Sequence, residues 1–102
     1  MNKEQFEQIT EWQDQTFPES TSLSRAKHLQ KEVQELIDDL ESDHIGAELE
    51  FADCFILLFG AAKKYGFNYE WICEIIQRKF EVNQSRKWGI PDADGVVNHL
   101  KN

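Results

Sequence analysis

"EFADCFILLFG", Glu50 to Gly60, is the stretch whose reading decides the fold. From Phe51 to Ala62 every residue is apolar or glycine except Asp53. No strand-like alternation appears here or elsewhere in the chain, so the run reads as a helix. A helix that is apolar on every side is normally buried, and burying an unpaired carboxylate is costly. Asp53 is therefore expected to have a partner, a proton or a metal ion.

Working outward, this helix spans about 47 to 65, with Gly66 placed to end it. Upstream, a helix capped by Thr21, Ser22 or Ser24 runs to about Asp43, with an apolar stripe of Leu29, Val33, Leu36, Ile37 and Leu40. Only "SDHIG", a weak break, separates the two, which predicts a tight helical hairpin. Residues 2–16 place Phe6, Ile9 and Trp12 at helical spacing until "FPEST" interrupts at Pro18. Asn68 caps a last helix of about 69–87, with Ile72, Ile75, Ile76 and Phe80 expected to face inward. "GIPDADGVVNHLKN" closes the chain as a turn-rich tail. The expectation is an all-α, four-helix bundle with a short C-terminal tail, one domain over residues 1–102.

The composition sets limits on function. At 40% hydrophobic and 12% aromatic, the 102 residues can build a core. The net charge of −8, from 19 acidic and 11 basic residues, argues against a nucleic-acid binder tracking phosphates. It leaves room for one polyphosphate molecule if divalent cations first neutralise the local carboxylates. No stretch has the length of a membrane span, and "MNKEQFEQIT" lacks the apolar core of a signal peptide. A cytoplasmic location, with no membrane partner, is the expectation. Cys54 and Cys73 lack metal-ligand spacing and read as reduced helix residues, and the "NQS" sequon at Asn83 has no meaning without secretion.

The acid is unevenly spread. Glu32, Glu35, Asp38, Asp39, Glu41, Asp43, Glu48, Glu50 and Asp53 follow one another with no Lys or Arg between them. Glu32 and Glu35, and likewise Glu50 and Asp53, are three residues apart, so each pair points within roughly 60° on its helix. Antiparallel packing would gather four carboxylates whose repulsion raises their pKa values. Hard cations with oxygen ligands, Mg²⁺ or Mn²⁺, would relieve it. Acidic pairs at this spacing are also common on solvated faces, as Asp38, Asp39, Glu41 and Asp43 are expected to be. Lys79, Asn83 and Arg86, at i, i+4 and i+7 on the last helix, form a stripe that suits a phosphate chain. Taken alone, that stripe also reads as a solvated face.

"KEVQEL", then "ELEFAD", then "KFEVNQSRKWG" and a terminal "DGVVNH" resemble, in this order, the MazG-like all-α nucleoside triphosphate pyrophosphohydrolases. The resemblance covers about residues 9–99 and is nearest to the dATP/dGTP diphosphohydrolase-like subgroup. It implies Mg²⁺-dependent hydrolysis of a nucleoside triphosphate to the monophosphate and pyrophosphate. Glu32, Glu35, Glu50 and Asp53 match the metal-binding positions, and Lys79, Asn83 and Arg86 match those expected to hold phosphates. Divalent cations would polarise the phosphoryl oxygens and lower the pKa of a bound water. One of the acids, with Glu32 and Glu35 as candidates, would orient or deprotonate that water. Lys79 and Arg86 would stabilise charge on the leaving pyrophosphate.

Other patterns are set aside. Glu41-x-x-His44 has di-iron spacing but lacks the second such pair. "DADG" fails as a calcium loop, since Ile90 and Lys101 would fall at ligand positions. His28, one turn before Glu32, could touch the site but reads first as a capping or surface histidine. Trp12, Phe17 and Trp88 read as core or interface residues, with Trp12 the candidate for stacking on a nucleobase. Two other readings stand beside the enzyme: a helical module that binds nucleotide without turnover, and a structural oligomerisation domain. Phe51, Phe55, Ile56, Leu58 and Phe59 cannot all face three short neighbours, so a homodimer or homotetramer is expected.

Overall fold

In the computed structural model, residues 1–42 and 45–100 are described; Asp43 and His44, and Lys101 with Asn102, lie outside them. The Glu41–His44 pattern, the solvation of Asp43 and the middle of "SDHIG" therefore fall outside the described residues. Four helices follow one another: α1 Lys3–Thr16, α2 Ser22–Glu41, α3 Ala47–Tyr65 and α4 Tyr69–Ser85. The all-α expectation holds. The chain divides into two compact units, Met1–Ile72 and Cys73–Asn102.

Local chemistry sets the helix ends. Asn2 caps α1 through Gln5 N–H, and Thr21 and Ser24 form a reciprocal capping box at the start of α2. Gly66 ends α3 at φ 125°, a conformation that favours glycine. Asn68 Oδ1 accepts from Trp71 N at 2.8 Å and starts α4.

In the first unit, α3 packs against both α2 and α1. Ser22 Oγ donates to Ala61 O and Arg25 Nη1 to Gly60 O, and Glu32 lies near Glu50. Numbers that rise along α2 and fall along α3 define an antiparallel hairpin. The core centres on Phe6, 1% exposed, whose ring meets Phe59 edge-on at 6.0 Å and Tyr69 at 5.6 Å. Lys3 pairs with Glu70 at 2.8 Å across the same junction.

Here α1 departs from the expected stripe. Its buried residues are Phe6, Thr10 and Gln13, while Ile9 is half-buried and Trp12 is exposed. The donors on that face are bonded: Thr10 Oγ1 donates to Phe6 O, and Gln13 Nε2 donates to Ile56 O at 3.1 Å, while Gln13 Oε1 accepts no hydrogen bond among the described residues. Gly60 makes the room. A Cβ there would come within 2.5–2.8 Å of the Gln13 amide.

Arg25, 4% exposed, is the other buried polar anchor. Its Nε donates to Ser20 Oγ and its Nη1 to Gly60 O, and its Nη2 lies 3.0 Å from Asp14 Oδ1. That last contact is an ion pair without hydrogen-bond alignment. Lys63 adds a second cation, 3.7 Å from Asp14 Oδ2.

The second unit carries most of α4 and the tail. Ile76 and Phe80, expected to face inward, are exposed, and Ile75 is half-buried. The α3 face at Phe51, Phe55 and Leu58 is open as well. Apolar spacing marks a face that wants cover without saying which chain supplies it. The tail folds back on itself: Trp88 bridges His99, Gly89 N donates to Asn98 O, and Asp92 Oδ1 accepts from Asp94 N and Val96 N. No described helix is long and apolar enough to cross a membrane.

Candidate active site

On the α2–α3 hairpin, Glu32, Glu35 and Glu50 each offer an oxygen within 4.8 Å of the others. The spacing along α2 sets the first two side by side, and antiparallel packing brings the third across. Hydrogen bonding with Glu35, then partial burial, then the charge of Glu35, and last hydrogen bonding with Glu50 and its charge, raise the Glu32 carboxyl above its ordinary range. Burial raises the neighbouring Cys54 thiol, with help from the negative charges of Glu32, Glu50 and Asp53. Glu50 Oε2 is buried and accepts no hydrogen bond among the described residues. The crowding of three carboxylates and the unpartnered Glu50 oxygen leave negative charge here without a full counterpart among the described residues.

Asp53 departs from expectation. It is exposed and is not one of the three clustered carboxylates. The premise that α3 would be covered all round fails, because α1 and α2 leave part of its surface open. Asp53 instead lines a cleft of about 320 Å³ together with Glu32 and His28. His28 Nε2 stands 3.3 Å from Glu32 Oε1.

Away from the acids, the cleft is walled by Trp12 and Phe17, whose rings meet edge-on at 5.7 Å. Both are at least half exposed, so neither is the core residue that its hydropathy suggests. Ser20, Ser24 and the buried Arg25 contribute polar groups to the same cleft. Sequence reasoning gave Ser24 a capping role only, and gave Ser20 and Arg25 none. The only available sign was Gly60, a glycine inside a helix, which marks close approach by another group.

In the second unit, Lys79 and Asn83 lie on α4, while Arg86 falls just beyond it, because the helix ends at Ser85 and not near residue 87. Lys79 is exposed and Arg86 half-buried, and neither forms an ion pair among the described residues. Trp88 Nε1 donates to Asn83 O, and Asn83 Oδ1 is a buried acceptor with no donor. Trp88 thus braces the end of α4 and meets His99 edge-on at 6.0 Å.

Residues 5–102 match the dATP/dGTP pyrophosphohydrolase family. The chain belongs to that family. It is therefore a nucleotide pyrophosphohydrolase, and its helices form the MazG-like all-α fold. A MazG-like pyrophosphohydrolase of cyanophage S-2L, bound to dGDP and three catalytic Mn²⁺ ions per active site, superposes with a TM-score of 0.79. The two chains are 25% identical, with 100% of this chain and 96% of that one covered. No curated protein matches. Family membership favours the enzyme over the two non-catalytic readings.

Proposed function

We propose that this enzyme hydrolyses a deoxynucleoside triphosphate, dATP or dGTP first, to the monophosphate and pyrophosphate with Mg²⁺, which Mn²⁺ can replace. The observation that carries this reading is the Glu32–Glu35–Glu50 trio, of which Glu32 lines a cleft shared with Asp53, Trp12 and Phe17. Glu32, Glu35, Glu50 and Asp53 hold the cations. The donor set fits, since a hard cation would satisfy the orphaned Glu50 Oε2 and relieve the repulsion felt by Glu32. When bound, such cations supply charge neutralisation at phosphorus and an activated water.

The chain's own residues do the rest. Trp12 and Phe17 present aromatic surface to the base. Glu32 or Glu35 takes the proton of the attacking water. Lys79, Asn83 and Arg86 bind the phosphates, and the two cations offset charge on the departing pyrophosphate. Purine deoxynucleotides are supported by the family description and by the dGDP of the cyanophage protein. The test is a panel of nucleoside triphosphates with Mg²⁺, with pyrophosphate and orthophosphate measured separately. Nucleoside diphosphate plus orthophosphate as products would overturn the reading.

The working unit in this proposal is a homodimer or homotetramer. Support comes from Phe51, Phe55 and Leu58, at i, i+4 and i+7 on α3, which are 44%, 56% and 54% exposed. A stripe of that size is costly to leave in water. Light scattering that finds an active 12.0 kDa monomer would remove this part.

A further inference from the structure

We infer that His28 is a positioning residue for the metal site: its Nε2, facing one oxygen of Glu32 at ion-pair distance, restrains that carboxylate and leaves the other oxygen for the cation. The inference rests on the proposed metal role of Glu32. Three observations lead to it. His28 Nε2 lies 3.3 Å from Glu32 Oε1, at ion-pair distance but without hydrogen-bond alignment. The pair is unequal, the histidine side chain being 58% exposed and the glutamate 18%. Among the described residues, His28 is the one lysine, arginine or histidine with a nitrogen within 4.0 Å of a carboxylate oxygen of the trio.

The physical need is specific to Glu32. Side chains on a helix lean towards its N-terminus, so Glu32 reaches back towards residue 28. With Glu35 and Glu50 both pressing on it, an untethered Glu32 lowers its energy by turning out of the cluster. A donor one turn earlier, on the same rigid helix, opposes that rotation. Nε2 bears a hydrogen in the imidazolium and in one of the two neutral tautomers, and a facing carboxylate selects that tautomer. Groups that hydrogen-bond a ligating carboxylate fix its orientation, and losing one typically weakens metal binding about 10- to 100-fold. An exposed pair at this helical spacing, by contrast, contributes little to stability alone.

The two roles separate in a binding experiment on the metal-free protein. Mn²⁺ is titrated calorimetrically into wild type, His28→Ala, His28→Gln and Glu50→Gln. His28→Ala should bind Mn²⁺ about tenfold or more weakly, with an almost unchanged melting temperature before metal is added. His28→Gln, whose amide offers an N–H at comparable reach, should recover most of the affinity. Wild-type affinity in His28→Ala, or equal weakness in both His28 variants, overturns the positioning role while leaving the metal site standing. A wild-type protein that binds Mn²⁺ no better than Glu50→Gln overturns the metal site itself, and this role with it.

Discussion

The two ends of the α2–α3 hairpin use the same helices to opposite effect. At the Arg25–Gly60 end, a buried guanidinium faces Asp14, a hydroxyl and a backbone carbonyl, and charge is matched within the chain. At the Glu32–Glu50 end, three carboxylates converge with one exposed histidine beside them. Repulsion of that kind would splay an isolated pair of helices. Contacts further along, Ser22 to Ala61 and Arg25 to Gly60, keep the open end closed. The completed end is the support, and the incomplete end is where chemistry can occur.

Substitutions at the incomplete end should have the largest effect on turnover. Glu50→Gln or Asp53→Asn should drop metal-dependent hydrolysis to assay background with the circular dichroism of the helices intact. Metal should then raise the melting temperature less than in wild type. Full activity in either variant would dissolve the contrast between the two ends. The completed end should respond in stability instead. Asp14→Ala strands the Arg25 charge and should cost about 2–4 kcal/mol in urea unfolding, less than the loss of a fully buried partner because Asp14 is 31% exposed. A neutral result would mean that Ser20 and the Gly60 carbonyl suffice for Arg25.

Between the ends, Trp12→Ala should raise KM roughly tenfold, from base stacking worth about 1–3 kcal/mol, with a smaller change in kcat. The smallest effect concerns pH. The Glu32 carboxyl is raised in the folded protein, so its contribution to stability is present at acid pH and is lost as pH climbs through the raised value. Metal-free wild type should thus lose melting temperature towards neutrality relative to Glu32→Gln, and added Mg²⁺ should cancel the difference. Parallel curves for the two proteins would show that the cluster carries no repulsion.

The acidic cluster was legible because i,i+3 spacing fixes side-chain direction before any packing is known, and a short connection leaves a hairpin as the simplest partner arrangement. Asp53, expected to lie buried beside the other acids, is exposed and outside the cluster of three. Hydropathy reports what prefers to leave water, but α1 and α2 cover only part of α3, and Asp53 looks into the cleft. The same limit rotated the expected face of α1. Thr10 and Gln13 outrank Ile9 and Trp12 for burial because their polar atoms find backbone acceptors, a fact of tertiary geometry. Arg25 carries no motif, and its role depends on three partners distant from one another in sequence or on separate elements.

Gly60 and Gln13 have a consequence for how this chain tolerates change. The amide lies where a Cβ on residue 60 would stand, so the two positions compete for one volume. Gly60→Ala alone should dislodge the amide and forfeit its bond to Ile56 O. In a Gln13→Ala background the same methyl enters vacated space and gains helix propensity of about 1 kcal/mol over glycine. The sign of one mutation is therefore set by the other, and a double-mutant cycle should return a coupling favouring the paired replacement.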